Sequence, residues 1–198
     1  MIHPDTELRF ISPEIGFGVV ATKLIPKGTI TWAFDSLDQI ITPQALERMH
    51  FLQKVYLEKY CYRDHNGDYV LCGDHSRFVN HSFRSSCIST AYNCELAVRD
   101  IHPGEELTDD YGYLNPSEPF DCLPEPGCTR TQVLPDDLLN FHTEWDAQLL
   151  EAFKEFRHVE QPLLHLLEPE QREQVLAVAA GQQAMESILS CYYRETVE

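Results

Sequence analysis

Two turns cut residues 7–34 into short pieces, so this stretch has no room for a long strand or helix. Glu7–Ile11 and Phe17–Thr22 carry apolar, β-favouring residues, with Pro13-Glu14-Ile15-Gly16 between them. Pro26-Lys27-Gly28 is a second turn, and Thr29–Phe34 follows as another strand. The period then changes. Thr42 can cap a helix that Pro43 opens, and Leu46, Met49, Leu52, Val55, Tyr56 and Tyr60 recur at helical spacing. Asn66-Gly67 marks a turn, with a strand expected over Asp68–Leu71. From Asp74 to Tyr113 the chain is polar, turn-rich and dense in groups able to bind something.

Beyond Arg130 the pattern becomes helical. Leu138, His142, Trp145, Leu149, Phe153 and Phe156 form one apolar stripe; Val175, Leu176, Ala179, Met185, Ile188, Leu189 and Tyr192 form another. Helices of this kind either cover the main domain or pair with a second copy, so a homodimer through them is one expectation.

Composition narrows the function classes. With 15 Lys plus Arg against 32 Asp plus Glu, the chain carries −17. That balance speaks against nucleic acid held by phosphate contacts and favours encounter with a basic partner. Residues 131–198 alone hold 13 acidic and four basic side chains. No apolar run reaches the roughly 18 residues of a membrane span. The start, Met1-Ile2-His3-Pro4-Asp5, has no signal-peptide pattern. A cytoplasmic or nuclear compartment is therefore expected. The seven cysteines, odd in number and irregular in spacing, should there be mostly reduced.

Three separated motifs carry the chemistry. Gly16-Phe17-Gly18 with Ala21 is followed by Ile25-Pro26-Lys27-Gly28. Arg77-Phe78-Val79-Asn80-His81-Ser82 comes second, and Gly104-Glu105-Glu106-Leu107-Thr108 leads to Tyr111. In this order and separation they resemble the signatures of SET-domain protein lysine methyltransferases, over roughly residues 8–128. The short length and helical tail resemble stand-alone SET proteins of bacterial type. The resemblance implies a mainly β fold with helices, built of small sheets. In it the Asn-His-Ser and Tyr segments interlock as a pseudoknot, here with an α-helical C-terminal extension. The expected organisation is a SET domain over 1–116, a post-SET-like segment over 117–130 and a helical region over 131–198.

The resemblance also assigns roles. Main-chain groups around Gly16, Phe17 and Gly18 would hold S-adenosylmethionine, glycine allowing close backbone approach. The Asn80 amide, which both donates and accepts, would meet its amino-acid part, and the backbone at His81 its adenine edge. Tyr111 is the expected catalytic residue, orienting a lysine amine in an apolar channel. Tyr113 and Asp109 would border that channel, with Tyr60, Tyr62 and Tyr69 as further wall candidates. Arg77 would pair with a nearby acidic group. Phe120 would pack on adenine. The implied substrate is a lysine of a basic protein, such as a histone or ribosomal protein.

Two departures stand out. Relatives commonly place an aromatic or apolar residue where this chain has Asp109. That carboxylate could face solvent, accept from a channel tyrosine or contact the substrate ammonium. Zinc-binding relatives carry three cysteines after the catalytic motif and a fourth directly after Asn-His-Ser; here Phe83 takes that fourth place and only Cys122 and Cys128 follow. Three thiols, Cys87 included, do not close a tetrahedral site, so no zinc is expected. Two rival readings remain at this stage. One is a SET-fold module that binds lysine-rich tails without turnover, the other an assembly subunit with acidic dimerisation helices.

Overall fold

The computed structural model describes residues 1–194. The first sheet runs in the order β1 (Thr6–Ser12), β2 (Gly16–Ala21), β10 (Glu106–Asp109), β7 (Asn80–His81). β10 is its organising strand. It pairs antiparallel with β2, Leu107 opposite Val19, and parallel with β7, Thr108 opposite Asn80 and Asp109 opposite His81. Segments separated by up to about ninety residues thereby become neighbours. Backbone bonds from Ser82 N to Asp109 O and from Ser86 N to Thr108 O continue the interlock beyond the strands.

Alternation along β10 gives its two faces different work. Leu107 and Asp109 are buried, while Glu106 and Thr108 point the other way and are half-buried. The second sheet is β3 (Ile30–Ala33), β9 (Cys94–Ala97) and β8 (Cys87–Ser89), all antiparallel. The third is β4 (Gln39–Ile41), β6 (Tyr69–Leu71) and β5 (Cys61–Arg63). A two-strand hairpin, β11 (Phe120–Asp121) with β12 (Gln132–Val133), brackets the segment carrying Cys122 and Cys128.

The helical reading of residues 42–60 needs correction. The chain forms α1 (Pro43–Glu47) and α2 (Phe51–Tyr60) with a break between them. Thr42 caps the first; His50 accepts from Leu52 N and starts the second in a capping box with Gln53. A fresh cap inside a periodic stretch divides it. The apolar residues also fail to form a buried stripe. Leu52, Val55 and Tyr56 are exposed, and Leu57 is the buried residue of α2.

The C-terminal stripes divide in a similar way. α3 (Asp137–Glu155) buries Leu138, Trp145, Leu149 and Phe153. α4 (Pro169–Ala179) ends before Gly181, which has positive φ, and Ile188–Cys191 form a separate 3₁₀ turn. Asp146 on α3 holds that turn through Ser187 and Ile188 N.

α3 does not build a core of its own. Its apolar face joins Ile30, Ala33, Ile88, Leu96 and Tyr113 in one cluster. The expected boundary at 130/131 is thus crossed by a continuous core, and the face that could have served a partner is occupied. Gly28 shows how close the approach is: at its φ of +88° an added Cβ would lie 2.7 Å from Ala152 O and 2.9 Å from Phe156 N. Gln161 ties the same turn down, accepting from Ile30 N and donating to Gly28 O and Phe156 O. A second cluster, with Val19, Ala21, Ile25, Trp32, Val79 and Leu107, lies under the first sheet.

Candidate functional site

Around β2, β7 and β10 the three motifs meet. Asn80 Nδ2 donates to Phe17 O at 3.1 Å and to Glu106 Oε1. Both side chains lie over Gly18, where a Cβ would sit 2.8 Å from Asn80 Nδ2 and closer still to Glu106 Oε1. Glycine at that position is what lets an amide and a carboxylate cover the strand. Gly16 differs: its φ of +86° makes the turn into β2, and nothing lies within 4 Å of an added Cβ. Phe17 is exposed, its ring edge-on to Phe10 and Phe78. Burial raises the Glu106 carboxyl above the ordinary range, and the Asn80 amide pulls the other way.

His81 is half-buried among aromatics, its ring 4.3 Å from Phe83, 5.4 Å from Tyr111 and 6.3 Å from Phe120. Its Nδ1 accepts from Tyr111 N at 3.1 Å. Burial lowers its pKa to about 4, so the ring is neutral at physiological pH and carries its proton on Nε2. That Nε2 is buried without a partner among the described residues. An orphaned donor beside Phe120, with an amide and carboxylate over Gly18, fits a ligand having an aromatic base and an amino-acid end. The residues present therefore suit S-adenosylmethionine.

On the other side lies a cavity of about 570 Å³. Tyr111, Asp109 and Phe120 line it, as do all three tyrosines considered for the channel wall, Tyr60, Tyr62 and Tyr69. Gly16, Phe17, Gly18, Asn80 and His81 are outside its lining, whereas Tyr111 both lines it and touches His81. The Tyr111 hydroxyl donates to Val79 O at 2.6 Å. Burial first, then the charges of Asp109 and Glu106, push its pKa far up, so it remains a phenol and cannot act as a base.

Tyr113 does not line this cavity. It is 2% exposed, packs edge-on to Trp145 at 5.2 Å and belongs to the core beneath α3. Its hydroxyl lies 3.0 Å from Asp109 Oδ1 and 3.0 Å from Cys87 O. Two residues past Tyr111, in a 3₁₀ turn capped by Asp110, the side chain is carried inward. Its contact with the channel is through Asp109. Arg77 also departs from expectation. It makes no ion pair among the described residues; its Nη1 donates to Cys72 O at 3.1 Å.

Glu95 is the site residue that motif reading missed. It lines the same cavity from β9, a strand whose four residues are all buried. The available signal was one carboxylate in the apolar run Cys94-Glu95-Leu96-Ala97. Such a residue is seldom buried without a reason.

The 117–130 segment is fastened by side chains. Glu125 accepts from Ser82 Oγ and Phe83 N, both at 3.0 Å, and Arg84 Nη1 donates to Pro126 O. Arg130 lies 4.3 Å from the Phe83 ring and 4.3 Å from the Phe141 ring, and pairs with Asp110 and Asp137. Among the described residues, no group of three or more His, Cys, Asp or Glu is placed to hold a metal ion.

Residues 16–112 match the family model of the SET domain. The histone-lysine N-methyltransferase Set2 of Drosophila melanogaster is 31% identical over 117 residues. That match takes in 53% of this chain and 5% of the Drosophila protein, so the chain spans a small part of this relative's length.

Proposed function

Because this chain belongs to the SET-domain family, we propose that it is a protein-lysine methyltransferase using S-adenosylmethionine. The observation that carries the reading is the position of Tyr111. It lines an aromatic cavity and also touches His81, the residue next to the Asn80 amide that covers Gly18. The cofactor supplies, when bound, a methyl group activated by positively charged sulfur. Asn80, whose amide oxygen has no hydrogen-bond partner among the described residues, and the neutral His81 Nε2–H are the groups of this chain that would hold it. The Tyr111 phenol orients the amine, and aromatic walls strip water from it, favouring its neutral form.

The substrate in this reading is a lysine on a basic protein, a histone or ribosomal protein among the candidates, and the compartment is cytoplasmic or nuclear. Glu125 and Arg130 support a lid segment that works without zinc; stoichiometric zinc in the purified protein would refute that part. The test of the whole reading is labelled methyl transfer to mixed basic proteins, with calorimetry for cofactor binding. Tyr111→Phe should bind S-adenosylmethionine normally and lose at least 100-fold in transfer. Binding by the wild type with no transfer would favour a non-catalytic module that holds lysine-rich tails.

A further inference from the structure

Glu95 and Asp109 are buried in the wall of one cavity with Tyr111. Each has one oxygen engaged: Ser89 Oγ donates to Glu95 Oε1 at 3.2 Å, and the Tyr113 hydroxyl lies 3.0 Å from Asp109 Oδ1. The second oxygen of each has no hydrogen-bond partner among the described residues. Lys54, Lys59, Arg63 and Arg77 line the same cavity, yet none comes within ion-pair distance of either carboxylate. The other groups facing the pair are Tyr62, Cys72, Cys87, Tyr111 and Tyr113, together with Asp110, which is held by Arg130. The Met1 ammonium, whose field reaches Glu95, pairs with Asp35.

Trp32 supplies an independent sign that something belongs here. It stands directly across from Glu95 between β3 and β9, lines the cavity and is 5% exposed. Its indole N–H has no partner among the described residues. Aromatic faces from Trp32, Tyr60, Tyr62 and Tyr69 around unpaired carboxylates suit an alkylammonium ion, which gains from both π faces and negative charge. A neutral or acidic ligand would leave the buried charge uncompensated.

We propose that the Glu95–Asp109 carboxyl pair receives the substrate lysine as its ammonium form and takes its proton, delivering the neutral amine to Tyr111. The assignment rests on the methyltransferase reading above. Burial raises both carboxyls, Glu95 to about 7, and the Glu95 charge pushes Asp109 further up, so the two do not both ionise at neutral pH. Before substrate enters, the pair therefore holds one proton and one negative charge. In the step, one N–H bond of the ammonium breaks and one O–H bond forms on the free carboxylate oxygen. The electron pair stays on nitrogen as the lone pair that methyl transfer needs. Charge −1 plus +1 becomes two neutral groups, with no proton passing to water.

Two measurements test this. The first is the pH profile of kcat/KM for labelled methyl transfer to core histones and ribosomal proteins, in wild type, Glu95→Gln and the double variant Glu95→Gln/Asp109→Asn. Wild type should rise to a plateau near pH 7, where Glu95 gives up its proton, and in the single variant the rise should move, because Asp109 alone then sets it. The double variant must wait for lysine that is already neutral in solution. It should fall at least about 100-fold at pH 7.4 and climb tenfold per pH unit toward the lysine pKa of about 10.4. Superimposable profiles overturn the proposal, and if the double variant does not fold, an unshifted single variant overturns it alone.

The second is calorimetry of n-butylammonium chloride binding to wild type in phosphate and in Tris. The pair keeps the proton inside, so the binding enthalpy should not depend on buffer. Release of about one proton per amine, or no binding, overturns the proposal. If wild type transfers nothing, the enzymatic reading fails while the calorimetry still tests whether the site takes up an alkylammonium ion without releasing its proton to buffer.

Discussion

At the scale of single residues, two titrating groups shifted by desolvation pull the stability of this protein in opposite directions. His81 titrates near 6.5 when unfolded and near 4 when folded, because burial disfavours its cation. Between those values the unfolded state binds more protons, so stability falls as the pH drops from 6.5 toward 4. Glu95 does the reverse. Its carboxyl sits at 4.5 when unfolded and about 7 when folded. The folded state holds the extra proton, and stability falls as the pH rises through that window. Melting temperature against pH should show a flatter acid limb in His81→Asn. Glu95→Gln should melt higher than wild type at pH 8, by on the order of 3 kcal/mol. A melting temperature below that of wild type at pH 8 would contradict the assignment of Glu95 as a destabilised buried carboxylate. The motifs made Asn80, His81 and Tyr111 legible in the sequence because each lies in a run with a fixed order. Glu95 lies outside any motif. Tyr113 was misplaced because a 3₁₀ turn, which leaves no periodic trace, decides which way its ring faces.

At the scale of elements, the β11–β12 hairpin and the Gly28 turn make the clearest predictions. Glu125 takes two hydrogen bonds from the Asn-His-Ser segment, and Arg130 inserts between two rings while pairing with two carboxylates. Glu125→Ala should weaken S-adenosylmethionine binding about tenfold in calorimetry with little change in melting temperature. Arg130→Met should lower both, since Asp110 and Asp137 lose their cation while buried. Gly28→Ala meets backbone atoms of α3 at a φ that suits only glycine, and should destabilise by about 2 kcal/mol or more in urea unfolding. The strands were readable because turns frame them. The continuous helix expected over residues 42–60 was not, because helical spacing persists across a cap. His50 is an uncommon N-cap, and nothing in the period announces it.

At the scale of the whole molecule, net charge and shared core govern behaviour. On the proposed reading, a chain of −17 that acts on basic proteins should show a KM that rises with salt, as screening shortens the reach of attraction. A salt-independent KM between about 50 and 300 mM would remove steering from the account. Removing residues 132–198 would strip Leu138, Trp145, Leu149 and Phe153 from a core that Ile30, Ile88 and Leu96 also need. The truncated chain should therefore lose its cooperative melting transition, whatever its association state. The amphipathic stripe of α3 was plain in the sequence. Which of two partners it would choose was not, since an apolar face fits a neighbouring sheet and a second subunit equally well.

β10 has one more consequence, and it concerns time. It is laid between β2, made some ninety residues earlier, and β7, with which it runs parallel. Neither pairing closes a hairpin, so each must form by bringing distant chain together before any contact rewards the loss of entropy. On a ribosome, Gly18 and Asn80 would emerge well ahead of the strand that joins them. Refolding from denaturant should accordingly take milliseconds to seconds rather than microseconds. Leu107→Ala in β10 should show in stopped-flow traces whether the interlock is tied early, by slowing folding, or late, by hastening unfolding.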